Sequence, residues 1–474
     1  MSAYRTTIGL EVHAELNTRT KMFCTSKNDP LAAEPNTNVC PVCMAHPGTL
    51  PVINKEAVRH VLRVGTALKG TLADYAEFDR KSYFYPDIPK GYQISQYEYP
   101  LVSGGELAGV AITRVHLEED TARSSHGAGV SLVDFNRAGV PLMELVTEPV
   151  IHDAETAGRF ARELQLLLRT IGASHANLDK GEMRVEANIS ISKTDTFGTK
   201  VEVKNLNSFR SVERAIAYEV ERQAKVLDEG GTVVQETRGW DENSQKTFSQ
   251  RAKEGSADYR YFPEPDLPKL LLSEVPEFAP EVLAASLPEL PWEKRARYVA
   301  LGLKDEDAVF MGSDINRAAF FDRVLANLGE DLALVTLAAN YTISDLAGWY
   351  AKREATEAEE YADIDAADYA DLMRMVSGGE LSSRGAKDVL LRMLEEGGAP
   401  RALAEANGLL QVSDTGALLE AVKAVLAANA TAAAEYKAGK EASLQYLVGQ
   451  SMKATKGAGN PSVIRDLLLE ELKG

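Results

Sequence analysis

The sequence predicts an α+β protein in which a strand-rich first part is followed by an all-helical second part. Apolar and polar residues alternate in several early segments with the period of two that marks strands. These segments are Ile8–Leu16, Val110–Leu117, Arg184–Ile191 and Lys200–Lys204. Helical patterns lie between them, and strands mixed with helices at hairpin-type spacing favour an antiparallel sheet.

Two early helices carry boundary signals. The helix predicted at Asp153–Ile171 ends at Gly172, a natural C-cap, and the helix at Ser208–Asp228 begins with a serine N-cap. Pro288–Pro291 has the composition of a linker. Beyond it the chain is rich in Ala, Leu and Glu with helical periodicity. The short helices predicted there are Phe320–Leu328, Ala366–Val376, Ser383–Leu394 and Leu418–Ala428.

Composition is that of an ordinary globular protein, with 474 residues of which 45% are hydrophobic and 26% are charged. No apolar run approaches the roughly 18 residues that span a bilayer, and the start lacks the apolar core of a signal peptide. We therefore expect a cytoplasmic protein. The net charge of −18 gives no support for a nucleic-acid partner, although a local basic face can still bind one.

Acidic residues and a histidine form the first candidate site. Glu11 and His13 share one face of the first strand, roughly 7 Å apart, so both can reach one ion. A solvated polar face is the better interpretation of this pair alone. Glu144 has apolar neighbours on both sides and is expected to be buried, which requires an ion-pair partner or a metal. The run His116–Asp120 adds adjacent carboxylates, and several such clusters suit Mg²⁺.

A predicted hairpin carries a second polar face, with Arg184, Glu186 and Asn188 on one strand and Lys200, Glu202 and Lys204 on the other. Such a face can bind nucleotide phosphates and a metal, and it can equally form cross-strand ion pairs that face water. Neither a Walker A loop nor a dinucleotide glycine fingerprint is evident, so a bound nucleotide requires a different platform.

The segment Asp79–Gln93 mixes aromatic residues, prolines and basic residues, which predicts a rigid, irregular loop. Loops of this composition often line sites. The alternative is that the aromatic rings only pin the loop to the core.

The three cysteines favour metal binding or burial over a disulfide framework, because their number is odd in a long chain. Cys40 and Cys43 have the spacing of a zinc knuckle, and Cys24 supplies a third thiolate. His46 follows Cys43 at the same gap and is the candidate fourth ligand. The sequence therefore suggests a Cys₃His zinc site, with reduced and metal-free cysteines as the alternative.

Ordered motifs along the whole chain resemble the B subunit of the bacterial aspartyl/glutamyl-tRNA(Asn/Gln) amidotransferases. The motifs are Gly9–His13, Pro35–Cys43, Asp79–Lys81, Tyr83–Asp87, Tyr92–Gln96, Ser131–Arg137, Lys204–Ser208, Asp258–Pro263, Leu447–Gln450 and Lys453–Gly457. So many motifs in one order make the resemblance specific.

The resemblance implies three domains: a glutamine-synthetase-like cradle at 1–292, a helical domain at 293–404 and a YqeY-like α-helical tail at 405–474. The implied reaction is the ATP-dependent phosphorylation of Glu or Asp misacylated onto tRNA(Gln) or tRNA(Asn). Ammonia from the A-type amidase subunit then displaces the phosphate, and the small C-type subunit braces the heterotrimer. The resemblance also implies that the tail contacts tRNA, for which its basic residues are the candidates: Lys437, Lys440, Lys453 and Lys456. The alternative is that these residues form an ordinary solvated helix face.

The resemblance also assigns site residues by motif. The Mg²⁺ and ATP site would consist of Glu11, His13, Glu119 and Glu144. Lys81 and Lys90 would lie near the substrate or the mouth of the ammonia channel. The further candidates for cofactor binding are the hairpin residues Arg184, Glu186 and Lys204.

Two departures from the family pattern bear on these assignments. Many relatives have Cys-x-Cys where this chain has Cys24–Ser26, so a fourth thiolate is missing, and we expect His46 to replace it. Loss of zinc is the alternative. Glu186 stands where relatives commonly have Asp, which lengthens its reach and gives it a supporting role.

Two other functions are consistent with these residues. One is an ATP-dependent carboxylate–amine ligase that acts on a small free acid, and the other is a non-catalytic RNA-binding scaffold. Because no glutaminase signature is evident, we expect a partner to supply ammonia. The sequence does not decide between Glu-tRNA(Gln), Asp-tRNA(Asn) and both as substrates.

Overall fold

The computed structural model describes residues 4–31, 34–127, 129–252, 259–329, 331–353, 361, 363–411, 415–455 and 459–473. The chain divides into two compact units, Met1–Pro291 and Trp292–Gly474. The first unit contains all the strands of the described residues, and the second is helical. The predicted fold class, α+β followed by all-α, is confirmed.

The strands are β1 (Arg5–Glu15), β2 (Thr71–Leu72), β3 (Tyr75–Ala76), β4 (Asp79–Ser82), β5 (Tyr92–Ser95), β6 (Val102–Ser103), β7 (Glu106–Leu107), β8 (Val110–Glu119), β9 (Arg123–Gly127), β10 (Val130–Asp134), β11 (Pro141–Thr147), β12 (Met183–Ser192), β13 (Val201–Leu206), β14 (Glu236–Asp241), β15 (Lys246–Ala252), β16 (Phe262–Pro263) and β17 (Leu270–Leu271).

The helices of the first unit are α1 (Lys55–Ala67), α2 (Ala154–Thr170), α3 (Phe209–Asp228) and α4 (Pro280–Ala285), with 3₁₀ turns at Leu272–Glu274 and Pro276–Phe278. Helix α5 (Pro291–Ala300) begins at the junction. The second unit continues with α6 (Asp305–Gly312), α7 (Ile315–Leu328), α8 (Leu332–Tyr341), a π-helical turn (Thr342–Leu346), α9 (Ala347–Lys352), α10 (Ala366–Ser377), α11 (Ser383–Glu396), α12 (Pro400–Ala406), α13 (Thr415–Ala428), α14 (Ala430–Lys437), α15 (Glu441–Ala454) and α16 (Pro461–Lys473).

A ten-stranded sheet organises the first unit, in the order β15-β14-β13-β12-β1-β11-β8-β6-β2 with β7 beside β8. Its pairs are antiparallel except β13 with β14, which run parallel. On β1, Leu10, Val12 and Ala14 are fully buried on one face. Helices α2 and α3 pack together and against β1 and β12, so they cover this apolar face. The opposite face of β1 carries the polar residues.

The predicted boundary signals are confirmed. The side chain of Asp153 accepts a hydrogen bond from the backbone N–H of Thr156 at the start of α2, and Gly172 adopts φ +70° just after its end. Ser208 caps α3 by accepting from the N–H of Ser211. These side chains satisfy N–H groups that the first turn of a helix leaves without partners.

The segment Asp79–Gln93 differs from the predicted irregular loop. Its two ends are β4 and β5, which pair antiparallel from Asp79 opposite Ser95 to Ser82 opposite Tyr92. The aromatic and proline content obscured this pair because its strands have only four residues each. Only the connection between the two strands has the expected irregular form.

Two apolar cores stabilise the second unit. One consists of buried residues between Tyr298 and Ala404, and the other of buried residues between Leu418 and Leu472. The four helices predicted from periodicity lie within α7, α10, α11 and α13. Among the described residues, no helix has both the length and the apolar character that crossing a membrane requires.

Replacing Gly65 by Ala should destabilise the first unit, because a Cβ there would lie 2.5 Å from Cγ2 of Val102 and 2.9 Å from Cδ2 of Leu72. We expect a loss of about 1–3 kcal/mol, as for other overpacked cores. Gly449→Ala in α15 is the matched control, because a Cβ there meets nothing within 4 Å. It should gain up to about 1 kcal/mol of helix propensity. Denaturant unfolding measures both, and unchanged stability of Gly65→Ala would contradict the packing argument.

Candidate active site

Five neighbouring strands bring polar side chains to the open face of the sheet. His13 on β1 pairs with Glu144 on β11, and Glu144 pairs with His116 on β8. On the other side of β1, Glu11 pairs with Glu186 on β12. Residues directly opposite each other on paired strands point to the same face. The pairing register therefore assembles a continuous band of ionisable groups.

The first group in this band, the histidine–carboxylate cluster, consists of His13, Glu118 and Glu144. Nε2 of His13 lies 3.7 Å from Oε1 of Glu118 and 3.4 Å from Oε2 of Glu144. One ligand atom from each residue lies within 4.8 Å of the others, a spacing that can hold a metal ion. Both carboxylates are buried.

The second group, the three-carboxylate cluster, consists of Glu11, Glu186 and Glu202, whose ligand atoms also lie within 4.8 Å of one another. The ammonium of Lys204 lies 2.8 Å from Oε2 of Glu186 and 3.4 Å from Oε1 of Glu202. Nδ2 of Asn188 donates to Oε1 of Glu11 at 2.8 Å. This leaves the buried Oδ1 of Asn188 without a hydrogen-bond partner in the described part of the chain.

Electrostatic coupling favours the charged forms of His13 and Glu144. Burial alone opposes charge on His13, but Glu144, Glu186 and Glu118 outweigh it and raise the pKa of His13 to about 9. Burial likewise opposes charge on Glu144, yet His116 and His13 hold the pKa of Glu144 well below its usual range. The two neighbouring histidines therefore stabilise the charged form of Glu144.

Lys81 approaches the histidine–carboxylate cluster from β4. Its Nζ lies 5.0 Å from the ring centre of Tyr259 and 6.0 Å from that of Tyr83. Burial lowers the pKa of Lys81, but Glu118, Tyr261 and Glu144 raise it above the usual value. An ammonium held by aromatic faces and nearby carboxylates can bind an anionic group.

The structure places Glu119 outside the histidine–carboxylate cluster. Its carboxylate accepts from Nζ of Lys90, at 2.6 Å from Oε2, and from the backbone N–H of Ile94, at 3.1 Å from Oε1. Consecutive strand residues point to opposite faces, so Glu118 joins His13 and Glu144 while Glu119 points away. Glu119 and Lys90 instead line a cavity of about 200 Å³ together with Cys24, Cys43 and His46.

Arg184 is engaged within the protein. It donates from Nη2 to Oδ2 of the buried Asp120 at 3.1 Å, and Nε of Arg137 lies 3.7 Å from the same oxygen. Burial raises the pKa of Asp120, but the two arginines outweigh it and hold that pKa below its usual range. The structure therefore gives Arg184 a structural partner in addition to its predicted role in cofactor binding.

The cysteines assemble as the sequence predicts. Sγ atoms of Cys24, Cys40 and Cys43 lie within 4.8 Å of one another, and Cys40 and Cys43 are 3.7 Å apart. His46 is not a member of this group. The closest polar side chains are Ser26, with Oγ 4.0 Å from Sγ of Cys43, and Lys21, with Nζ 3.8 Å from it.

The hydrogen bond from Cys24 lowers the pKa of Cys43, with further contributions from the N–H of Cys40 and the charge of Lys21, while burial opposes the shift. Conversely, that hydrogen bond and burial raise the pKa of Cys24. This hydrogen bond therefore favours the thiolate on Cys43 over that on Cys24.

The basic residues predicted on the tail are exposed where they are described. Lys437, Lys440 and Lys453 all face solvent, and Lys440 pairs with Glu435 at 2.9 Å. Lys456 lies outside the described residues, as does Asp258 in the motif near Tyr259.

Three further residues of the band lie in polar segments that the sequence singled out but were not assigned as site residues there: Glu118, Glu202 and His116. Strand alternation carried the signal for two of them, because His116 and Glu118 are two residues apart in one strand. The role of Glu202 depends on the pairing of β12 with β13, where Asn188 lies opposite Glu202. Sequence alternation does not specify that register.

A sheet with helices on its apolar face and clustered ionisable groups on its polar face has the layout of an enzyme site built on one face of a sheet. The family description "GatB/GatE catalytic domain" matches residues 6–276, and "GatB domain" matches residues 319–472. The chain therefore belongs to the B-subunit family of the aspartyl/glutamyl-tRNA(Asn/Gln) amidotransferases, and the resemblance found in the sequence is confirmed.

Curated relatives support the same assignment over the whole length. The B subunit of an aspartyl/glutamyl-tRNA(Asn/Gln) amidotransferase from Thermus thermophilus is 47% identical over 99% of both chains. The protein of that name from Synechococcus sp. (strain JA-2-3B'a(2-13)) is 44% identical over 99% of this chain and 98% of its own. The chloroplastic/mitochondrial glutamyl-tRNA(Gln) amidotransferase B subunit of Physcomitrium patens is 42% identical over 99% of this chain and 86% of its own.

Replacing Arg184 by Met should destabilise the first unit by about 1–3 kcal/mol at pH 7, because the charged Asp120 loses its nearer arginine while Arg137 remains. A carboxyl with a depressed folded pKa contributes stability above its unfolded value of about 3.9, and loses it as the pH falls through the folded value. The penalty should therefore shrink below about pH 4. Urea unfolding at both pH values measures it. The double variant with Asp120→Asn is the control and should lose less, and an equal loss at every pH would contradict the ion-pair explanation.

Proposed function

We propose that this chain uses ATP to activate the side-chain carboxylate of Glu on Glu-tRNA(Gln), of Asp on Asp-tRNA(Asn), or of both, and then amidates it. The observation that carries the proposal is the convergence of the histidine–carboxylate and three-carboxylate clusters on one sheet face. Membership of the amidotransferase B-subunit family supports the choice of substrate.

The reaction follows from the chemistry of a carboxylate, which is a poor electrophile. A carboxylate oxygen attacks the γ-phosphorus of ATP, ADP leaves, and ammonia then attacks the acyl carbon and expels phosphate. When bound, Mg²⁺ supplies charge neutralisation at the phosphates. Lys81 and Lys204, which face the two clusters, are the protein cations suited to orient phosphate oxygens. We retain Lys90, Arg184 and Glu186 as further candidates for nucleotide or substrate contact.

The donor set fits hard divalent cations. Mg²⁺ prefers oxygen ligands, and the three-carboxylate cluster offers them. The buried Oδ1 of Asn188, which has no hydrogen-bond partner in the described ranges, is a further oxygen beside Glu11. For a cation at the histidine–carboxylate cluster, we propose Glu118 as a ligand, in the role that the sequence motifs assigned to Glu119. His13 and Glu144 complete that set.

The proposal extends to partners and domains. The family name implies an assembly, so we propose a cytoplasmic heterotrimer with an A-type amidase subunit, which delivers ammonia, and a small C-type subunit. We propose the division into a cradle at 1–292, a helical domain at 293–404 and a tail at 405–474 that contacts tRNA. Exposed Lys437, Lys440 and Lys453 support a tRNA contact on the tail.

We also propose a structural Zn²⁺ at Cys24, Cys40 and Cys43. Two thiolates bound to one tetrahedral zinc at about 2.3 Å lie roughly 3.8 Å apart. The 3.7 Å between Cys40 and Cys43 agrees with this spacing. The fourth ligand is His46, Ser26 or water, and a thiol-rich set of this kind favours zinc over magnesium.

Glu144→Gln and Glu202→Gln should each lower amidation of misacylated tRNA by the assembled complex at least about 100-fold, because partners of metal ligands alone contribute 10–100-fold. Free ammonium tests the same variants without the amidase reaction. The exposed Glu221→Gln on α3 is the matched control and should keep full activity.

Two other outcomes of these assays would favour a different function. ATP turnover that is independent of misacylated tRNA would favour a ligase for a small free acid. Unchanged amidation by both variants would favour the RNA-binding scaffold and overturn the proposal.

Purified native protein should contain about one zinc per chain by elemental analysis, and Cys40→Ser should remove most of it because two thiolates hold a zinc ion weakly. His46→Ala and Ser26→Ala identify the fourth ligand, since only the ligating residue lowers the affinity measured by chelator competition. Native protein that contains no zinc, and binds none when it is added, would refute the site.

A further inference from the structure

His116 is a buried histidine within the band that neither motif nor mechanism employs. Its side chain is 3% exposed and lies on β8 opposite Glu144. Nε2 of His116 lies 3.2 Å from Oε2 of Glu144 and 3.9 Å from Oε2 of Glu118. The imidazole therefore contacts both carboxylates of the histidine–carboxylate cluster.

Arg114, two residues earlier on the same strand face, fixes the tautomer of this imidazole. Its Nε–H donates to Nδ1 of His116 at 3.4 Å. A guanidinium has donors and no acceptor, so Nδ1 must carry a lone pair and the ring proton must reside on Nε2. The N–H on Nε2 then points toward the carboxylate of Glu144.

We propose that His116 is a positioning residue that holds Oε2 of Glu144 through its Nε2–H and leaves Oε1 of Glu144 free to ligate the catalytic cation. The inference rests on the proposed function, in which His13, Glu118 and Glu144 bind that cation. A protonated Nε2 has no lone pair for a metal, so His116 acts through Glu144 and is not itself a ligand.

The distances around Glu144 explain why its carboxylate needs a second donor besides His13. Oε2 of Glu144 lies 3.4 Å from Nε2 of His13 and 3.2 Å from Nε2 of His116. When His13 binds a cation through Nε2, it no longer donates to Glu144. His116 then remains as the donor that fixes the carboxylate, as outer partners of metal ligands commonly do.

Binding of Mn²⁺ to the full-length protein, measured by electron paramagnetic resonance without ATP or tRNA, tests this role. Gln matches the position of Nε2 of histidine, whereas Asn matches only that of Nδ1. We expect His116→Asn to weaken Mn²⁺ binding by about 10–100-fold, and His116→Gln to restore it to within a few-fold of the native value. The exposed His175→Asn is the matched control and should bind normally.

Kinetics of the assembled complex give a second readout. His116→Asn should raise the Mg²⁺ concentration needed for half-maximal amidation and leave kcat at saturating Mg²⁺ within a few-fold. A purely structural role predicts instead that Asn and Gln lose Mn²⁺ binding together, in step with the thermal unfolding midpoint, and that result would overturn the inference.

Glu118→Gln separates this inference from the proposed cation site. If Glu118→Gln weakens Mn²⁺ binding while His116→Asn binds as the native protein does, the cation site stands and the role of His116 is refuted. If Glu118→Gln also binds Mn²⁺ normally, the cluster is not a cation site and both proposals fail there.

Discussion

The repulsion between buried and half-buried carboxylates on one face of a sheet is the constraint on which the rest of this structure depends. Glu11, Glu118, Glu144, Glu186 and Glu202 gather on five adjacent strands. Such a set is stable only where cations or protons compensate it. The charged groups of His13, Lys81 and Lys204 supply that compensation.

The two faces of β1 make this arrangement possible. One face carries Leu10, Val12 and Ala14, which are fully buried, so the strand cannot slip by one residue without exposing them. The fixed register then determines which polar residues meet on the other face, including His13 opposite Glu144 and Glu11 opposite Glu186. Burial of apolar side chains on one side of the sheet therefore specifies the ligand geometry on the other.

Sequence periodicity and local capping were sufficient to predict most of the fold. The strands near Ile8–Leu16 and Arg184–Ile191 and the caps at Asp153 and Ser208 depend on short-range chemistry, and all agree with the structure. The Asp79–Gln93 segment was less predictable because its paired strands are short and rich in aromatic residues. Local propensity is weak over four residues, and tertiary pairing decides their conformation.

The candidate site was predictable only in part, because tertiary strand pairing also decides which of its side chains share a face. Glu11, His13 and Glu144 could be inferred, whereas the choice between Glu118 and Glu119 depends on which face each residue presents at the end of β8. Once the strand is known to extend to Glu119, alternation from His116 places Glu118 on the same face as His116 and Glu119 on the other. The contribution of Glu202 depends on pairing between β12 and β13, which is interrupted by a register shift between Val185 and Ala187. A bulge of this kind changes the face of the sheet to which a side chain points, and the periodicity of the sequence does not reveal it.

The negative charge of the cysteine group also needs compensation, and here a single buried lysine supplies it. Three thiolates around one Zn²⁺ would carry a net charge of −1 by charge counting. Lys21, which is fully buried, places its ammonium 3.8 Å from Sγ of Cys43 and donates to the carbonyls of Asn38 and Phe135. A buried ammonium requires both an opposite charge and hydrogen-bond acceptors, and this position supplies both. Lys21 would therefore balance a three-thiolate zinc site with a neutral fourth ligand, whereas a fourth thiolate would leave one negative charge uncompensated beside it.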